Sequence, residues 1–142
     1  GYGFGNYLSG RFSIRMGVIR MIVTGNMVMV LGMVLQVMAV ATGWGGALGF
    51  FLPFLLIGTG NGLVLPNSNA GMLSVRPQLA GTASGLGGAI MIGGGAALSA
   101  LAGSWLTLET GAWPLLIVMG ASLLGSILSI LLVIRRNKQL GL

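Results

Sequence analysis

The side chains able to do chemistry are few, and their types exclude most of it. The sequence has no His, no Cys and no Asp, and Glu109 is its only acidic residue. Disulfides, ordinary metal sites and Ser-His-Asp or Cys-His nucleophilic catalysis therefore have no parts, and neither an active site nor a cofactor is expected. What remains is hydrogen bonding. Asn61, Pro66, Asn67, Ser68 and Asn69 sit together inside one uncharged run. At 100° per residue, Ser68 returns to within about 20° of Asn61 and Asn69 to about 80°, while Asn67 points roughly 120° the other way. Asn61, Ser68 and Asn69 thus share a face. Hydrocarbon offers an amide no partner, so that face should meet protein or water. Pro66 removes a backbone bond just before the cluster and frees a carbonyl that also needs a partner. Two roles stay open for these residues: hydrogen-bond glue between helices, or the lining of a cavity or gate.

The elements that hold this cluster are read from composition. Of 142 residues, 55% are hydrophobic and only 6% are charged, against about 25% charged in a soluble domain. The chain is expected to be an all-α membrane protein in contact with lipid, a single transmembrane region over residues 1–142. The formal net charge of +6 does not point to nucleic acid, because the basic residues are sparse and separated by runs too apolar to lie in water.

Uncharged runs of roughly 20 residues cross a bilayer as helices. Residues 1–9 are too short and are taken as the tail of a span. Residues 10–20, with Arg11, Arg15, Gly17 and Arg20, read as a short basic loop. Complete spans follow over residues 21–42, 48–74, 80–106 and 113–134. Glycines around Trp44 release the first of them, and Pro77 breaks the chain at Arg76 after the second. All seven Lys and Arg then fall on one side: Arg11, Arg15, Arg20, Arg76, Arg135, Arg136 and Lys138. The opposite turns hold Glu109 and no basic residue. The positive-inside rule makes the basic side, with the C-terminus, cytoplasmic, and Trp44, Trp105 and Trp113 sit where interfacial anchors belong on the other. The chain opens on Gly1 with no leader-like segment, and it is expected to be an internal or C-terminal fragment of a longer protein.

Gly81, Gly85, Ala89, Gly93 and Ala97 recur every four residues in the third complete span, a ridge of small side chains against which a neighbouring helix can pack closely. It is either a static packing surface or one that slides during a transport cycle. Gly58-Thr-Gly60-Asn-Gly62 has the look of a phosphate loop, but no Lys-Ser/Thr follows it and it is embedded in an apolar run, so nucleotide binding is set aside.

Several of these stretches carry a family likeness. The segment GNYLSGRFSIRMG, from Gly5 to Gly17, resembles the degenerate second-half loop motif of major facilitator transporters. GNGLVLPNSNAGML and AGTASGLGGAIMIGGG resemble the bicyclomycin-resistance (Bcr/CflA-type) branch of drug-proton antiporters. The acidic residue typical of the loop motif is absent, Gly10 standing before Arg11. The resemblance implies the end of the eighth helix and helices nine to twelve of a twelve-helix fold, in a bacterial inner membrane. It implies efflux of small organic compounds or drugs by alternating access, energised by a proton gradient, with the coupling acids in the missing N-terminal part. Thr82 and Ser84 then join Asn61, Pro66, Asn67, Ser68 and Asn69 as cavity or gate candidates, and Gly5, Arg11, Arg15, Gly17 and Arg76 belong to the cytoplasmic loops. The second and third complete spans would border the cavity, and the first and fourth would face lipid. The competing expectation is a small four-helix membrane subunit or anchor that packs on a partner through its Gly/Ala ridge. A four-helix drug exporter acting as a dimer needs an intramembrane acid, which Glu109 in an outer turn does not supply.

Overall fold

The computed structural model describes residues 1–44, 46–75 and 77–140. They form α1 (Tyr2–Met16), α2 (Val18–Thr42), α3 (Gly46–Val75), a 3-10 turn (Pro77–Leu79), α4 (Ala80–Trp105) and α5 (Trp113–Leu140). No strand occurs among the described residues. Helices α2 to α5 are each long and apolar enough to cross a membrane. The shortest of them has 25 residues, about 38 Å at 1.5 Å per residue, against a hydrocarbon core of about 30 Å.

Residues 10–20 are a correction to the sequence reading. Instead of a loop, α1 runs through Arg11 and Arg15 to Met16, and α2 begins at Val18. Arginine is a good helix former, so three of them in a short stretch do not end a helix. The break is Gly17 alone. Its φ of 82° and ψ of 154° are open to glycine and strained for any other residue. Its N–H closes α1 on the Ser13 carbonyl at 2.9 Å, and its own carbonyl accepts the first α2 bond from Met21 at 3.2 Å.

The other turns are built by similarly few residues. Gly43 ends α2 in the left-handed conformation (φ 62°, ψ 16°). Between α4 and α5, the Thr110 hydroxyl donates to the Trp105 carbonyl at 2.9 Å, and the Thr110 N–H donates to the Thr107 hydroxyl at 3.1 Å. One orphan carbonyl at the end of α4 is thereby paired, and the segment bearing Glu109 is held in a tight knot.

Helix α3 is the centre of the arrangement. It runs parallel to α1, with Tyr2 beside Gly58 and Ser9 bonded to Asn67. It runs antiparallel to α2, with Gly25 against Gly60 and Val64, and Gly32 against Ile57. Helix α5 lies antiparallel on α2, where Ser126 meets Asn26 and Ile130 joins Ile22, Met29 and Val64 in a buried cluster. Helix α4 is the least covered. Ala102 is its one buried residue among those described.

The ends of the helices sort by charge. Val18, Ser74, Val75 and Asn137 border one groove, so the α1–α2 turn, the end of α3 and the end of α5 share one end of the molecule. Arg11, Arg15, Arg20, Arg135, Arg136 and Lys138 belong to the helical segments at that end, while Glu109 is in the α4–α5 turn at the other. Arg76 lies outside the described residues.

Candidate functional site

Glycine makes the seams between α1, α2 and α3. In Gly58-Thr-Gly60-Asn-Gly62 the first and last glycines are four residues apart and face the same way, and the middle one faces roughly opposite. A Cβ on Gly58 would stand 3.1 Å from the Tyr2 nitrogen, and one on Gly62 would run into the Tyr2 carbonyl and lie 2.7 Å from the Asn6 nitrogen. Across the helix, a Cβ on Gly60 would collide with Met29, and one on the facing Gly25 would come within 2.8 Å of the Gly60 carbonyl. The segment that resembled a phosphate loop is therefore a two-sided packing strip in the interior of α3. Gly5, expected in a cytoplasmic loop, is instead buried in α1, where a Cβ would strike the Thr59 carbonyl.

The ridge on α4 is not such a seam within this chain. A Cβ placed on Gly81, Gly85 or Gly93 meets nothing within 4 Å, and Ala89 and Ala97 are exposed. Spacing shows that a helix can approach closely, but it does not identify the neighbour. Thr82 and Ser84 are likewise exposed, and neither borders a groove among those described.

The polar residues of α3 divide as their helical angles require. Asn67, 2% exposed, points at α1, where its Nδ2 donates to Ser9 Oγ at 2.8 Å and to the Leu63 carbonyl at 2.7 Å. The Ser9 hydroxyl is in turn 3.1 Å from that of Ser13. Asn67 is thus structural glue between α1 and α3. Asn61 and Ser68 face the other way and open into grooves. Asn69 is exposed and Pro66 half-buried. Arg11 and Arg15 are exposed on α1, with Gly17 at its end.

Two grooves carry the polar surface. The first, of about 460 Å³, lies among α2, α3, α4 and α5 and presents Asn61, Ser99, Ser122 and Ser126 among apolar side chains such as Met33, Leu98 and Val118. The second, of about 500 Å³, opens toward the basic end and presents Ser68, Ser74, Ser126, Ser129 and Asn137 beside Val18, Ile22 and Ile130. Ser126 belongs to both. No Lys, Arg, Asp or Glu lines either groove among the described residues.

The first and fourth complete spans, expected to face lipid, also border these grooves with one face. Helix α5 contributes Ser122, Ser126, Ser129 and Asn137, which fall within an arc of about 80° at 100° per residue. Helix α2 buries two amides that the sequence reading passed over. Asn26 is 4% exposed and accepts the Ser126 hydroxyl on Oδ1 at 2.9 Å, leaving Nδ2 without a partner. Gln36 is fully buried with neither amide atom paired. The signal for both was present, since an amide in a membrane-length run is costly wherever it lacks a partner.

Among the described residues these helices, seams and grooves make an all-helical arrangement with four helices suited to crossing a membrane and an uncharged, partly polar cleft among them. Compared with known proteins, the chain has no matching family model, no matching curated protein and no matching solved structure.

Proposed function

We propose that the chain is the C-terminal part of a drug-efflux transporter of the major facilitator type, exporting small organic compounds across a bacterial inner membrane by alternating access with proton antiport. The observation that supports this reading most is the groove among α2, α3, α4 and α5, of about 460 Å³, within the range of about 300–1,000 Å³ typical of small-molecule sites. Its apolar walls with a few hydroxyls and the Asn61 amide suit ligands of varied shape and no fixed charge. The little-covered α4 leaves a face free for the other half of the transporter, and rocking of the two halves around a midplane site, with this part supplying one cavity wall, is the mechanism this reading implies. In this reading Asn61 contacts the substrate, Ser68 lies on the path toward the basic end, and that end is cytoplasmic. Asn61→Leu in the full-length parent lowers drug efflux while membrane abundance stays the same. Unchanged efflux at equal abundance takes Asn61 out of the site.

A second reading is favoured by the uncovered α4 ridge: a small membrane subunit or anchor whose Gly81–Gly85–Ala89–Gly93–Ala97 face docks on a partner helix. It predicts that the protein extracted from its native membrane has a particle mass well above one chain, and that Gly85→Trp returns it to the mass of the chain alone. A single-chain mass in the unmodified protein eliminates it.

A further inference from the structure

Ser126 occupies the junction of the two grooves, and its hydroxyl is not free to turn. It donates to Oδ1 of Asn26 at 2.9 Å, and Asn26 is buried at 4% exposure. A serine hydroxyl has one proton and two lone pairs. With the proton committed to α2, Ser126 shows only lone pairs to the space it lines. The arrangement is also costly: Nδ2 of Asn26 has no partner, and a leucine would fill the same position without an orphaned donor. The one bond that the Asn26 amide makes fixes the Ser126 hydroxyl.

We propose that Ser126, oriented by Asn26, is the hydrogen-bond acceptor of a binding site at the junction of the two grooves, and that this site takes uncharged, largely apolar molecules carrying an N–H or O–H donor. The requirement for neutrality follows from the lining. Among the described residues no charged side chain borders either groove, so these walls offer an ion no counter-charge for the water it gives up. Met29, Leu65, Leu98, Val118 and Leu123 supply apolar contact in the first groove, and Asn61 and Ser122 stand on the same walls for further bonds. Asn26 is a positioning residue; Ser126 is the group that touches the ligand. The inference names the substrate class of the efflux reading and rests on it, but binding can be measured apart from transport.

The test compares 1-naphthol with its methyl ether, two probes with the same aromatic body that differ in the donor. Each is titrated into the purified full-length protein in lipid nanodiscs, and partition into empty nanodiscs is subtracted. The naphthol binds about five-fold more tightly, the factor that one net hydrogen bond of about 1 kcal/mol provides. Ser126→Ala removes the preference and Ser126→Thr, which keeps the hydroxyl, retains it. In Asn26→Leu the hydroxyl loses its α2 acceptor and turns back to the Ser122 carbonyl, as Ser122 and Ser129 turn to Val118 and Gly125, so its lone pairs leave the groove and the preference falls toward one while the naphthol still binds. Because a ratio of two affinities is read on each protein, partial loss of folded material does not imitate the result. Equal affinities in the unmodified protein, or a preference that survives Ser126→Ala, overturns the proposal. Efflux by a protein without the preference removes this site and leaves the transporter reading, whereas the preference in a protein that exports nothing does the reverse.

Discussion

Gln36 shows most directly how a single residue can be at odds with its surroundings. It sits between the Gly32–Ile57 and Ala39–Gly49 contacts of α2 with α3, at the level of Pro53. Pro53 has no N–H to give the Gly49 carbonyl, and neither atom of the Gln36 amide is paired. An apolar side chain of similar volume removes that unmet demand. Gln36→Leu therefore raises stability by about 1–3 kcal/mol, read as a higher midpoint of thermal unfolding in detergent; a lower midpoint shows that the amide is paired in the folded protein. At this scale the sequence was legible where helical angle decides the matter. Asn67 points away from Asn61 and Ser68, as 100° per residue requires, and meets Ser9. It was illegible where the partner is a hundred positions distant: nothing near Asn26 in the chain announces Ser126.

Between elements, the same residue type has opposite meanings at different positions. Gly60→Ala forces a Cβ onto Met29 and the Gly25 backbone and destabilises the protein by about 1–3 kcal/mol. Gly125→Ala on α5, where a Cβ meets nothing within 4 Å, leaves stability unchanged or raises it by about 0.5–1 kcal/mol through helix propensity. Detergent melting of the two variants side by side checks both signs. The helical class and the long apolar helices follow from composition and run length, and no fine geometry was needed to see them. The seams were harder. The α4 ridge has the more regular spacing, yet it is the irregular Gly58-Thr-Gly60-Asn-Gly62 that carries the contacts, because its alternate glycines serve two neighbours at once. The extent of α1 was hidden for a different reason: arginine suggests a loop by its charge but favours helix by its backbone, and only Gly17 was a true break.

For the whole molecule, orientation is the property that charge controls. With the basic end inside, a cysteine introduced at Glu109 reacts with a membrane-impermeant reagent added to whole cells, and one introduced at Lys138 does not; the opposite pattern inverts the orientation. Arg11, Arg15, Arg20, Arg135, Arg136 and Lys138 lie at the same end of the molecule as the Asn137-lined groove, and this has a further effect. In a leaflet with anionic phospholipids, each such residue near the surface is worth about 1 kcal/mol of attraction, so the protein carries a collar of negative headgroups with it. Beyond that collar, over a Debye length of about 10 Å at 0.1 M salt, the balance of lipid and protein charge sets a local surface potential at that end. Phospholipid composition and ionic strength therefore set how strongly that end is drawn to the membrane surface.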